Sequence, residues 1–492
     1  MTTLGLAPVF LIIVPLTAAF LAVVAPWPRV LVIGAVPLML ALTVALVMSV
    51  WRDGPISIAI GGWQAPLGIE LAAGGLAASF LATTTVVMTI IVLVALPAFG
   101  NRHGETRTGW AFWPLAFMMW AALNAVFLSG DLFNIYVAIE FLTLATLALV
   151  ALEGKAGTIE AAMRYAIFAL FGSLAYLLGV VLLYAAHGTL DLDLLAAATK
   201  GDSASLVGAA LITAGLAAKT ALFPFHAWLP PAHAGAPAPA SAMLSALVPK
   251  ASFFVLVQFW FVVMPEAAGP LFVQLIGVLG AAAILYGSLL AIRQTRLKRL
   301  IAYSTVAQIG YLFLVFPLAG GDSAAQPWSA GAWTGAMLQA IAHALAKGAM
   351  FLAAGLVVEA AGHDRLSAVH GLARTMPITA FTFALSSVTL MGLPPSGGFV
   401  AKYLMLTSAF ASGQIVWALV ILTGGLLAAA YLFRVLAPTF LRSAKARADI
   451  GAVRQALPLT LAATSILLGL LSAQPFEFLQ IGRPQAATGG LQ

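Results

Sequence analysis

The sequence predicts an all-α polytopic membrane protein of about fourteen transmembrane helices, two of them broken. Three observations carry that prediction. Of 492 residues, 62% are hydrophobic and 8% charged, and mean hydropathy is +1.05, where a soluble domain carries about 25% charge. Apolar runs of about 20 residues or more recur fourteen times, each long enough to cross a bilayer. Two of those runs combine helix-breaking residues with a buried lysine.

Taken in order, the spans lie near 5–25, 30–50, 73–99, 109–129, 131–152, 159–186, 205–229, 237–263, 268–292, 299–319, 328–360, 377–410, 414–440 and 456–474. No cationic segment precedes the first run, so it reads as a retained span and not a cleaved signal. The stretch from Trp51 to about Glu70 alternates apolar and polar residues around Ile56–Ile60 and predicts a short extracytoplasmic hairpin. Of the eighteen Lys and Arg residues placed outside the spans, fifteen follow odd-numbered spans. Arg52, Lys200 and Arg483 follow even ones. Odd loops are then cytoplasmic and both termini extracytoplasmic. The net charge of +7 is therefore a loop signal and points to no nucleic-acid partner. There is no cysteine, which excludes disulfides and thiolate or iron–sulfur ligation by this chain.

Five basic residues remain inside spans: Lys219, Lys250, Lys347, Lys402 and Arg434. Arg434 sits near a cytoplasmic helix end and can snorkel. Each of the others costs roughly 2.5–3.5 kcal/mol at mid-membrane, too much for a packing role. Glu140 is the clearest mid-membrane carboxylate, nine residues into span 5, about 13 Å along the axis. It is the natural counter-ion for Lys219. In Ala218–Pro230, Pro224 has no N–H and crowds the Thr220 carbonyl, so span 7 breaks there. Lys219 and His226, seven apart, are expected on one face. In span 12, Met391-Gly-Leu-Pro-Pro-Ser-Gly-Gly-Phe399 cannot stay helical, with Pro394 and Pro395 as break-makers, and Lys402 follows. Lysine precedes the break in one span and follows it in the other, the pattern of an inverted repeat with ion sites at its broken helices.

Pro249 frees the Ser245 carbonyl, an oxygen suited to the Lys250 ammonium. Gln339, His343 and Lys347 fall at four-residue spacing on one face of span 11, either a proton wire or a set of interhelical hydrogen bonds. His103, His233, His363 and His370 read as solvated loop residues, and His187 as structural. No metal motif, Ser-His-Asp arrangement or phosphate loop stands out, and no cofactor is expected. Buried lysine facing carboxylate titrates where its partner's position decides. Glu140, Lys219, Lys250, the His343/Lys347 pair and Lys402, with His226, thus predict a row of proton relay stations.

The motifs Gly130-Asp-Leu-Phe-Asn-Ile-Tyr-Val…Glu140, Lys219-Thr-Ala-Leu-Phe-Pro-Phe-His-Ala-Trp-Leu-Pro230, Pro237-Ala-Pro-Ala-Ser-Ala-Met-Leu-Ser245…Lys250, His343…Lys347 and Gly392-Leu-Pro-Pro…Lys402 together resemble the antiporter-like subunits. These occur in Mrp-type Na⁺/H⁺ antiporters, respiratory complex I and membrane-bound hydrogenases. The Gly-Asp-Leu-Phe-Asn phrase, the length and Lys402 are most similar to the Mrp D-type subunits. The short stretch after span 14 sets the chain apart from the larger subunits with a lateral helix or an extended C-terminal region.

The resemblance implies two inverted five-helix repeats, in segments 1–108 (three spans and the hairpin), 109–263 (spans 4–8), 264–440 (spans 9–13) and 441–492. It also implies a Glu140–Lys219 ion pair, Lys250 as connecting lysine, Lys402 as terminal station, and His343 and Lys347 on a central hydrophilic axis. Its further implications are other membrane subunits as partners, protons and possibly Na⁺ as transported ions, and a bacterial cytoplasmic membrane around the chain. The proton-pumping arm of a redox enzyme is the competing function. A non-transporting assembly scaffold is a third, against which the retained lysines speak.

Overall fold

The computed structural model describes residues 6–24, 27–99, 107–199, 201–441 and 448–483. The residues His103, Arg102, Lys200, Arg442, Lys445 and Arg447 of the charge and histidine assignments lie outside them. Among the described residues, thirteen helices are long and apolar enough to cross a membrane. Spans 1–11 are Ala7–Val24, Pro28–Asp53, Gly75–Phe99, Arg107–Leu128, Leu132–Val150, Ala156–His187, Ser203–Gly235, Ala238–Val263, Pro270–Arg293, Leu297–Ala319 and Ser329–Ala361. Spans 13 and 14 are Ile415–Thr439 and Ala452–Leu470. Span 12 is a pair of 15-residue helices, Pro377–Met391 and Gly397–Ala411. Each reaches about 22 Å, too short to cross a core of about 30 Å alone.

The hairpin pairs Ile56–Ala59 antiparallel with Glu70–Ala73, and the Ser57 hydroxyl donates to Glu70 at 2.8 Å. A short helix after span 14, Ala473–Gln480, folds back beneath it. There Phe478 stacks on Trp51 with ring centroids 5.6 Å apart, and the Gly75 N–H donates to the Ile481 carbonyl at 2.8 Å.

Both breaks are closed by local hydrogen bonds. Span 7 stops at Thr220, with Ala221 left-handed at φ 60°, and the Leu222 N–H turns back to the Ala217 carbonyl at 3.0 Å. Helix resumes at Phe225, and the indole of Trp228 takes the freed Ala218 carbonyl at 3.0 Å. A broken helix survives in a membrane only with such partners. Span 12 stops at Met391, and Gly392 follows at φ 82°. A Cβ on Gly392 would also lie 2.6 Å from Cδ of Lys402, so conformation and close approach both require glycine. Ser396 restarts the helix, its hydroxyl accepting from the Phe399 N–H at 3.1 Å.

Spans 4–8 and 9–13 have matching neighbours. Span 4 packs on 5 and 8 as span 9 packs on 10 and 13, and span 6 packs on 7 as span 11 packs on 12. Spans 8, 10 and 11 are buried along most of their length, while spans 1, 2 and 14 expose one face. Spans 6 and 7 approach through reciprocal glycines. A Cβ on Gly172 would lie 2.8 Å from the Gly215 carbonyl oxygen, and one on Gly208 3.1 Å from that of Gly179. Small residues at this spacing let helix backbones touch, and the contact fixes the helix that carries Lys219. Gly215→Leu is expected to lower the melting temperature of the detergent-solubilised protein by several degrees or to prevent its assembly. Gly157→Ala, where a Cβ meets nothing within 4 Å, should leave it unchanged.

Candidate proton-relay site

Span 5 is anchored at its start by Asp131, whose Oδ1 accepts the Phe133 and Asn134 N–H groups at 2.8 Å each. Two and a half turns on, Glu140 faces Lys219 across the gap to span 7. The Lys219 ammonium donates to Glu140 Oε1 at 3.0 Å and to the Thr143 hydroxyl at 3.1 Å, and the Ser173 hydroxyl donates to the same carboxylate oxygen. Lys219 is buried, whereas 29% of the Glu140 side chain is exposed, with Val137, Phe141 and Leu144 of the same helix exposed around it.

His226 does not join this pair. Its ring stacks on Phe223 at 5.5 Å and meets Tyr286 edge-on at 4.9 Å. The two-turn alignment with Lys219 fails because regular helix ends at Thr220, so the 3.6-residue period does not continue across the break.

At the centre, the Lys250 ammonium donates to the Ser245 carbonyl at 2.6 Å, the oxygen that Pro249 leaves without its helical donor. The Ser245 hydroxyl shares a hydrogen bond with Thr305 at 2.8 Å, and Thr305 donates to the Ile301 carbonyl at 3.1 Å. Lys347 donates to that carbonyl from the other side at 3.0 Å and also to the Ser304 hydroxyl. Lys250 and Lys347 are thus joined through span 10.

One turn from Lys347, His343 is 1% exposed, and neither ring nitrogen has a hydrogen-bond partner among the described residues. One turn further, Gln339 donates to Gln308 at 2.8 Å. The Gln308 amide in turn donates to the Leu390 carbonyl at 3.0 Å and the Tyr431 hydroxyl at 3.2 Å. Lys402 donates to the Leu390 and Met391 carbonyls at 2.8 and 3.3 Å and lies 4.4 Å from the Tyr311 ring centroid. Those carbonyls end the first half of span 12, and Pro394 and Pro395, four residues further on from each, have no N–H to give them. Cavities on the scale of a single water molecule adjoin Lys219, beside Thr143 and Ser252, and Lys250, beside Thr84 and Phe127. The arrangement suits protons passed between fixed groups.

Two residues lie elsewhere than the sequence placed them. His233, expected in a solvated loop, is fully buried, its ring 6.3 Å from Trp228 and 5.8 Å from Phe351. Lys298, counted with the cytoplasmic loop, is on span 10 and 7% exposed. Pro230, Pro231 and Gly235 around the one, and Arg293, Arg296 and Arg299 around the other, give loop signals that tertiary packing overrides. Gln308 was missed although Ser304, Thr305 and Gln308 share a helix face, a polar stripe like that of span 11.

Residues 129–428 match the family described as NADH:quinone oxidoreductase/Mrp antiporter, TM. The N-type NADH-quinone oxidoreductase subunit of Desulforudis audaxviator is 37% identical over 448 residues, spanning 88% of this chain and 86% of the relative. The D-type Na(+)/H(+) antiporter subunit of Alkalihalophilus pseudofirmus is 28% identical over 449 residues, spanning 89% and 88%. A chain of the Mrp complex from Dietzia sp. DQ12-45-1b superposes with a TM-score of 0.87 at 26% identity, over 97% of this chain and 96% of that one. A chain of respiratory complex I from Thermus thermophilus shares the fold, with a TM-score of 0.84 at 24% identity over 97% of each. The matched region holds Glu140 and every lysine from Lys219 to Lys402, and the chain belongs to the NADH:quinone oxidoreductase/Mrp antiporter family of membrane subunits.

Proposed function

We propose that the chain is the proton-translocating membrane subunit of a multisubunit Na⁺/H⁺ antiporter, set in a bacterial cytoplasmic membrane with both termini extracytoplasmic. The observation that carries the reading is the row of four buried lysines, each held by hydrogen bonds to protein oxygens. Lys219 is held by Glu140, Lys250 by Ser245, Lys347 by Ile301 and Ser304, and Lys402 by Leu390 and Met391.

In this reading Glu140 sets the state of the row. A carboxylate beside Lys219 favours the ammonium, and its withdrawal favours the free amine, so movement of Glu140 sends a proton towards Lys250. The exposed part of Glu140 lies on a membrane-facing surface, where an uncovered carboxylate is costly. Another membrane subunit covering spans 5 and 6 would supply both the cover and the displacement. Lys250 and Lys347 pass the proton along span 10. Gln308, the split of span 12 and Lys402 complete the route. Pro224, Pro394 and Pro395 hold the helices open, and His343 stands beside the row as a further acceptor. His226, packed against Tyr286, has a place at its margin only.

The 37% identity to an N-type oxidoreductase subunit favours a second reading, the proton-pumping subunit of an NADH:quinone oxidoreductase or a hydrogenase. The relay residues are the same in both. Resistance of an antiporter-deficient strain to sodium, conferred by the whole complex, separates them. Absence of resistance together with quinone-linked or hydrogen-linked proton release selects the second.

Lys219→Ala in an assembled complex should abolish proton flux in proteoliposomes, and near-wild-type flux would sink the relay. Gln308→Leu leaves every lysine in place and removes the bridge to Leu390. It should lower flux about tenfold or more, as loss of a positioned proton-transfer partner does, with assembly unchanged on a sizing column.

A further inference from the structure

The relay above leaves one buried lysine unused. Lys298 is the second residue of span 10, and its ammonium donates to the Ala236 carbonyl. That carbonyl closes the inner end of span 7, where Pro237 turns the chain into span 8. The Ser241 hydroxyl reaches the same oxygen at 3.0 Å and the His233 carbonyl at 2.7 Å.

The loop after span 11 is clamped against the start of span 10. The Leu297 N–H donates to the Asp364 carbonyl at 2.9 Å, the Lys298 N–H to Asp364 Oδ1 at 3.0 Å, and the Leu366 N–H to the Thr295 carbonyl at 2.9 Å. Asp364 is partly buried. Burial pushes its carboxyl above the usual carboxylate range, against the opposing pull of the Lys298 backbone N–H and the Lys298, Arg296 and His363 charges. Glu153 and Lys155 also lie within electrostatic reach of Lys298. All these loops follow odd-numbered spans, on the side the charge bias assigns to the cytoplasm.

Lys298 has one acceptor and no carboxylate within ion-pair distance among the described residues. On its inward side is His233, fully buried, with neither ring nitrogen hydrogen-bonded. His233 lies within electrostatic reach of Lys298, Lys250 and Lys347 together.

We infer that Lys298 is the proton-loading station on the cytoplasmic side, passing protons from the inner solution at Asp364 to the central Lys250–Lys347 pair. The inference rests on the relay reading above. In each turn one N–H bond of the ammonium breaks and its proton moves inward. The neutral amine then takes a proton from the inner solution, and nothing is oxidised or reduced. A neutral amine still donates to the Ala236 carbonyl, so the junction of spans 7 and 8 stays closed throughout.

The test compares Lys298→Arg, Asp364→Asn and Lys219→Ala in the whole complex reconstituted in proteoliposomes, with flux followed against inner pH. Arginine keeps the charge and the hydrogen bond but does not release its proton. Lys298→Arg is therefore expected to assemble and to lose about tenfold or more of the flux, and wild-type flux would reduce Lys298 to a fixed cation. Asp364→Asn removes a negative charge that favours the ammonium, so the alkaline fall-off of flux should come about one pH unit lower. An unmoved profile overturns the inference. Flux retained by Lys219→Ala is a separate failure, of the relay itself.

Discussion

An ammonium inside a bilayer has to be wrapped in oxygen, and a regular helix uses its carbonyls on its own backbone. The rest of this structure follows from that conflict. Lys250 takes the Ser245 carbonyl released by Pro249, Lys402 takes the two carbonyls that end the first half of span 12, and Lys298 takes the one that closes span 7. Lys347 shares the Ile301 carbonyl with the Thr305 hydroxyl and also takes Ser304. The interruptions at Pro249, at Gly392–Pro395 and at Pro237 therefore sit where a charge needs solvating, and there the breaks and the lysines form one device.

Lys219 is the exception, because a carboxylate holds it. Carbonyls fixed in the backbone give their lysines a constant environment, whereas Glu140 is a side chain at the edge of the bundle. Removing one partner of a buried ion pair is worth several kcal/mol, more than enough to move a proton between neighbouring sites. The row thus has one adjustable end, and on the proposed reading it faces the surface that another subunit covers.

The parts of the site that follow from chain-local chemistry were legible in the sequence. Pro249 beside Lys250, the prolines before Lys402 and the mid-span position of Glu140 each carry their own physical reason. Residues that gain their meaning from a neighbouring helix were not legible. His233 lies between prolines and a glycine that signal a loop, and only the packing of spans 7, 8 and 11 buries it. Lys298 belongs to a basic run with the composition of a cytoplasmic loop, and the Asp364 clamp draws it inward. His226 shows the opposite failure, since helical spacing was extended across a break that the same residues predict.

The oxygen sets also bear on which ion this chain carries. Sodium prefers several oxygen ligands free of competing cations. Here the carbonyls of Ser245, Ile301, Leu390 and Met391 are each occupied by a lysine, and Glu140 by Lys219. No group of three or more His, Asp or Glu side chains converges among the described residues. A sodium ion in any of these places would have to displace an ammonium from its acceptors, whereas a proton needs only the amine that remains. On the antiporter reading, sodium therefore crosses through another subunit, and the coupling between the two ions has to reach this chain through the one partner that can move, Glu140.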